Sequence, residues 1–199
     1  MPIVPFREKA VRIALKEAQQ GVREQGGANT GPRVKQYQAE DGYEPATDTG
    51  YAWCASFVNA CFAWAGRPLV ELKRSASVGF LLTYARERGW VVAAPARGDV
   101  FCYRAADGDT WPDHTGFVLR RNADGSLRTV EGNTSGTSIA EGDGVYVKDR
   151  PRWFADRCSY IRVPGTTKEP PRLVRWAIKD TPEVIKFLRA QRAKKKGKA

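Results

Sequence analysis

After Pro95 the chain changes its period, and that change limits the architectures open to it. Upstream, apolar residues recur at helical spacing over residues 6–25 (Val11, Ala14, Leu15, Ala18, Val22), 33–40 (Val34, Tyr37), the Trp53–Gly66 stretch (Phe57, Cys61, Trp64) and 75–88. Downstream they come in short runs at 98–103, 114–121, 126–131, 144–148 and 158–163, separated by turn-rich stretches containing Asp-Gly pairs. Helices followed by strands predict an α+β domain, with the helices packed on one face of an antiparallel sheet. Gly26-Gly27 is expected to end the first helix, and Asp48 or Thr49 to cap the third.

The pattern fades at Pro164–Pro171 (PGTTKEPP), which reads as a linker, so residues 1–164 are assigned to one domain and 165–199 to a linker and basic tail. Charge supports the division. The net charge is +11 (33 basic minus 22 acidic), and Lys168–Ala199 carries eleven Lys and Arg against Glu169, Asp180 and Glu183, a net of +8. Such a tail is expected to attract polyanions, for example anionic envelope polymers or lipid. Charge alone names no nucleic-acid motif, so no specific nucleic-acid partner is predicted.

No apolar run approaches the roughly 18–20 residues that span a bilayer, so no transmembrane segment is predicted. The first twenty residues carry Arg7, Glu8, Lys9, Arg12, Lys16 and Glu17 through their apolar pattern, which predicts no secretory signal. Four cysteines (54, 61, 102, 158) show neither CxxC pairs nor metal-ligand spacing, and with a single histidine in the chain no structural zinc site is expected. Cys61, Cys102 and Cys158 lie in apolar segments and read as buried packing residues.

Cys54 differs because it opens a predicted helix. A first-turn cysteine sits beside unpaired N–H groups and the positive end of the helix dipole, which favour thiolate over thiol. Its only available imidazole is His114. If Asn122–Gly125 is a four-residue hairpin loop, Arg121 pairs with Ser126, placing His114 opposite Asn133 and Gly116 opposite Glu131. Alternation then puts His114, Glu131 and Asn133 on one face and Phe117, Leu119 and Val130 on the other. A one-residue slip would turn Glu131 away. For this face to serve Cys54 it must meet the N-terminus of the cysteine's helix. Together the residues supply a nucleophile (Cys54), a base (His114) and an orienting group (Glu131 or Asn133) for amide cleavage.

The ordered motifs Asn29-x-Gly31-Pro32-x-Val34-x-x-Tyr37, Trp53-Cys54-Ala55-x-Phe57-Val58, Pro95–Val100, Asp113–Val118 and Val130–Thr134 resemble the CHAP domain, the cysteine, histidine-dependent amidohydrolase/peptidase. The resemblance covers roughly residues 6–163. It implies a papain-like fold and peptidoglycan hydrolysis at an amide of the stem peptide or cross-bridge, or between muramic acid and L-alanine. It also implies that Cys54 is the nucleophile and His114 the base, with Glu131 and Asn133 completing the site. Some members bind calcium through an acidic loop before the cysteine. Here Asp41–Tyr51 offers only Asp41, Glu44 and Asp48, so no metal or other cofactor is predicted. The expected setting is a phage lysin, made in the host cytoplasm and acting on the cell wall or carried in the virion among other virion proteins. A bacterial cell-wall effector and a non-catalytic anchoring protein are the alternatives.

Overall fold

The computed structural model describes residues 6–41, 50–66, 75–106, 111–138 and 141–164; the predicted caps Asp48 and Thr49 and the tail fall outside them. Four helices come first: α1 (Phe6–Gln19), α2 (Pro32–Ala39), α3 (Cys54–Trp64) and α4 (Val78–Glu87). The strands β1 (Val91–Val92), β2 (Val100–Tyr103), β3 (His114–Arg121), β4 (Leu127–Thr134), β5 (Gly144–Arg150) and β6 (Cys158–Ile161) follow, with α5 (Arg152–Asp156) before the last. They form one antiparallel sheet in the order β1-β6-β2-β3-β4-β5, the α+β arrangement expected of a papain-like CHAP fold.

Both faces of the sheet are covered. On one, Val100, Cys102, Phe117, Val130, Val145 and Ile161 join the buried residues of α1, α3 and α4. On the other, Phe101, Tyr103, Val118, Leu127 and Tyr160 pack with Phe154 of α5. Each such aromatic side chain, fully buried, contributes about 1.5–3 kcal/mol. Helix α3 is the centrepiece: every residue from Cys54 to Phe62 is buried, with Phe57 and Phe62 meeting Phe117 at ring-centroid distances of 6.4 and 5.4 Å. A helix whose only polar side chains are Ser56 and Asn59 must be enclosed.

Helix α1 ends six residues before its predicted limit. Gly21 takes a φ of 65°, Val22 donates to Glu17 O (3.3 Å) and Gly21 to Ala18 O (3.1 Å), forming a Schellman cap. The chain that was expected to continue as helix instead runs beside β5. Arg23 bridges Gly144, Val145 donates to Val22 O and Glu24 donates to Asp143 O.

The β3–β4 hairpin departs from the simple expectation in two places. Its loop has five residues, since Arg121 pairs with Leu127 and not Ser126. An irregularity between Val118 and Arg120 then shifts the register by one, so that Val118 pairs with Thr129 and Phe117 with Val130. These inner pairs are those of a four-residue loop without a bulge. The two departures cancel, and Glu131 stays on the face of His114.

Candidate active site

Cys54 is the first residue of α3 and is 5 % exposed. Trp53 occupies the N-cap position, and no side chain caps the helix, which leaves its first-turn N–H groups without the usual side-chain acceptor. Ser56, which has the chemistry of a cap, instead donates its hydroxyl to Asp41. The helix approaches the sheet at Gly132. A Cβ there would lie 2.6 Å from Phe57 Cγ and 2.8 Å from Trp53 Cζ3, so only glycine admits this contact.

His114 opens β3, pairs with Tyr103 and is wholly buried. Its Nε2 lies 2.9 Å from Glu131 Oε2. Because a carboxylate can only accept there, the Nε2 carries the proton. Gly116 makes room for Glu131: a Cβ would come within 2.9 Å of Glu131 Cγ and 2.7 Å of Val130 O. The other ring nitrogen, Nδ1, is buried without a hydrogen-bond partner. Burial disfavours the charged ring, but the neighbouring Cys54 side chain and then Glu131 outweigh it and push the His114 pKa up to about 9. Cys54 thus influences the imidazole as a near neighbour, without a formed hydrogen bond to Nδ1. Nucleophile–base bonds are commonly long before substrate arrives.

Glu131 is itself fully buried. Burial alone would raise its pKa, but hydrogen bonds from Arg150 and then His114 hold it down to about 2. Arg150 Nε donates to Oε1 at 2.8 Å and the guanidinium also donates to Oε2, while the Thr129 hydroxyl donates to Oε1. Neither Arg150 nor Thr129 was identified from sequence. The signal was present: Thr129, Glu131 and, through the Glu131–Tyr146 pair, Tyr146, Lys148 and Arg150 all share one face by alternation. Ending β5 at Lys148, two residues short, hid Arg150.

One expectation needs correction. Asn133 is buried, but it takes a φ of 56° within an irregularity of the β4–β5 pairing, where simple alternation with Glu131 is broken. It makes no hydrogen bond to His114 or Glu131, and its Oδ1 has no partner. Asparagine tolerates this left-handed conformation better than most residues. The face bearing His114 and Glu131 meets only the N-terminus of α3, as its service to Cys54 requires, and does not receive the body of the helix. That helix covers the Phe117–Val130 face, while His114 contacts Phe101 (centroids 5.9 Å) on the α5 side. Cys54 and His114 meet at the end of the sheet, where α3 and β3 both begin.

Among the described residues no group of three or more His, Cys, Asp or Glu could hold a metal ion. Asp41 turns inward to Ser56 and Asn59; Glu44 and Asp48 lie outside the described residues. None of the described helices is long and apolar enough to cross a membrane.

No curated protein matches the chain. Residues 46–133, a span that opens just before the cysteine helix and closes on Asn133, match the family profile of the CHAP domain. Over that span the chain is similar to the CHAP domain, and its α+β fold agrees with that likeness.

Proposed function

We propose that this domain hydrolyses an amide bond of peptidoglycan by cysteine nucleophilic catalysis. The observation that carries the reading is the buried imidazole of His114, fixed through Nε2 by Glu131 at 2.9 Å, with its Nδ1 unpartnered and Cys54 as its neighbour. Cys54 Sγ attacks the carbonyl carbon while its proton resides on His114 Nδ1. The tetrahedral oxyanion is met by the backbone N–H at the uncapped start of α3. Collapse breaks the C–N bond, His114 gives its proton to the leaving amine, and a thioester remains. Water, deprotonated by His114, then attacks the thioester and releases the carboxylate and free thiol. Asn133 is assigned a polar contact to the substrate's peptide, consistent with its buried, unpartnered Oδ1.

The setting we infer is a phage lysin, released at lysis or carried in the virion, with the basic tail adhering to anionic envelope polymers or lipid. Wild type and Cys54→Ala are incubated with purified peptidoglycan and the released fragments identified by mass spectrometry. Wild type is expected to release fragments with new amino groups and no new reducing sugar ends, and Cys54→Ala none. Release by both, or by neither, would sink the mechanism, and the fragment masses name the bond.

A further inference from the structure

We propose that Arg150 is a positioning residue for this reaction, holding Glu131 ionised and aimed at His114 and so completing a balanced chain of four groups. The inference rests on the catalytic reading above. Glu131 has no contact with solvent, and a buried carboxylate survives as an anion only when its lone pairs are filled and its charge is countered. Each of its oxygens accepts two bonds: Oε2 from His114 and Arg150, Oε1 from Arg150 and Thr129. Nothing is left to rotate.

The arginine is held as firmly as the carboxylate. It is 5 % exposed, and its guanidinium lies over the Phe154 ring of α5 at 4.8 Å. The planar fork fits a carboxylate in one orientation, which a lysine ammonium cannot reproduce.

The reacting pair, thiolate and imidazolium, sums to zero, and so does the pair behind it, Glu131 and Arg150. Without Arg150, two anions share one imidazolium. The first protons added on acidification then neutralise an anion the reaction needs, and the acid limb of the rate profile moves up. Other titratable or charged groups near Glu131 and Arg150 are His114 on β3, Lys148 on β5, Cys158 on β6 and, beyond the ring, Cys54 on α3. Lys148 is committed to the carbonyls of Ser135, Gly136 and Ser138, and Cys158 to that of Phe154, so neither replaces Arg150.

The test compares wild type, Arg150→Lys and Arg150→Met. It follows the pH dependence of Cys54 alkylation by iodoacetamide, mapped by mass spectrometry, and of kcat and KM on soluble muropeptides. Arg150→Met is expected to raise the acid limb by at least about one pH unit, which lowers rates on that limb about tenfold, with KM little changed. Arg150→Lys, which keeps the charge but not the fork, falls between. An unmoved limb in Arg150→Met, or a uniform loss at all pH values, overturns the proposal.

Should Arg150→Met not fold, the Glu131→Gln/Arg150→Met double variant decides, because replacing both members of a buried pair is often tolerated. Loss no greater than in Glu131→Gln alone is expected, whereas a further loss beyond that of Glu131→Gln would count against Arg150 acting through Glu131. Alkylation needs no substrate. If wild type fails to cleave peptidoglycan, the proposed function fails while the alkylation profile still decides the role of Arg150.

Discussion

At the scale of single residues, His114 and Glu131 set a window of pH. Raised from 6.5 to about 9, the histidine contributes stability that is complete below 6.5 and lost as pH rises through about 9. Lowered from 4.5 to about 2, the glutamate contributes stability that is complete above 4.5 and lost as pH falls through about 2. Between 4.5 and 6.5 both contributions are whole. Because the chain has one histidine, its imidazole gives a single set of ring resonances. An NMR titration is expected to place its pKa near 9 in wild type and at least about one unit lower in Glu131→Gln, where the anion is gone. A titration unchanged by that substitution would disprove the coupling. Of the proposed site, Cys54 was legible because a helix start is a local signal, whereas Glu131 was placed on the His114 face only because the five-residue loop and the bulge, neither foreseen, offset each other. Arg150 was not legible, because it enters the site only through the length of another strand.

Elements are joined near the site by Asp41, just beyond α2. It accepts from the Ser56 hydroxyl and from Asn59 Nδ2 (2.7 Å), both on α3, and is wholly buried. Burial pushes its pKa up from 3.8 to about 6, against the lowering effect of those hydrogen bonds. For a carboxyl raised in this way, stability is greatest below 3.8 and is lost as pH rises through about 6. Asp41→Asn keeps the side-chain shape and cannot ionise. Relative to wild type, the variant is expected to gain on the order of 3 kcal/mol between pH 4 and pH 7. Denaturant unfolding at several pH values measures this, and parallel curves for the two proteins would refute it. The sequence pattern located α2, α3 and β3 well because each begins or ends on a strong local signal. It overran α1, since a Schellman glycine at Gly21 competes with an apolar pattern that continues past it. It missed α5, a five-residue helix too short to show a period.

For the whole molecule, helices before strands sufficed to predict an α+β domain. The strand order did not follow from the sequence, because β6 enters between β1 and β2 by a pairing that joins distant parts of the chain. Charge is as unevenly distributed as topology: of the net +11, only +3 belongs to residues 1–167, since Lys168–Ala199 holds +8. We predict that truncation after Pro164 weakens binding to cells in a salt-sensitive way while hydrolysis of soluble fragments is unchanged. A cell-binding assay across salt concentrations, paired with a fragment-release assay, distinguishes adhesion from catalysis. Equal loss of both activities would make the tail part of the fold.

The five-residue loop and the bulge beside Leu119 act as a matched pair, each undoing the parity change made by the other. A site transplanted to another scaffold must therefore carry both or neither. Strands joined by an even loop without the bulge, or by an odd loop with it, present His114 and Glu131 to each other. Either feature alone delivers the same residues, in the same order, to opposite sides of the sheet.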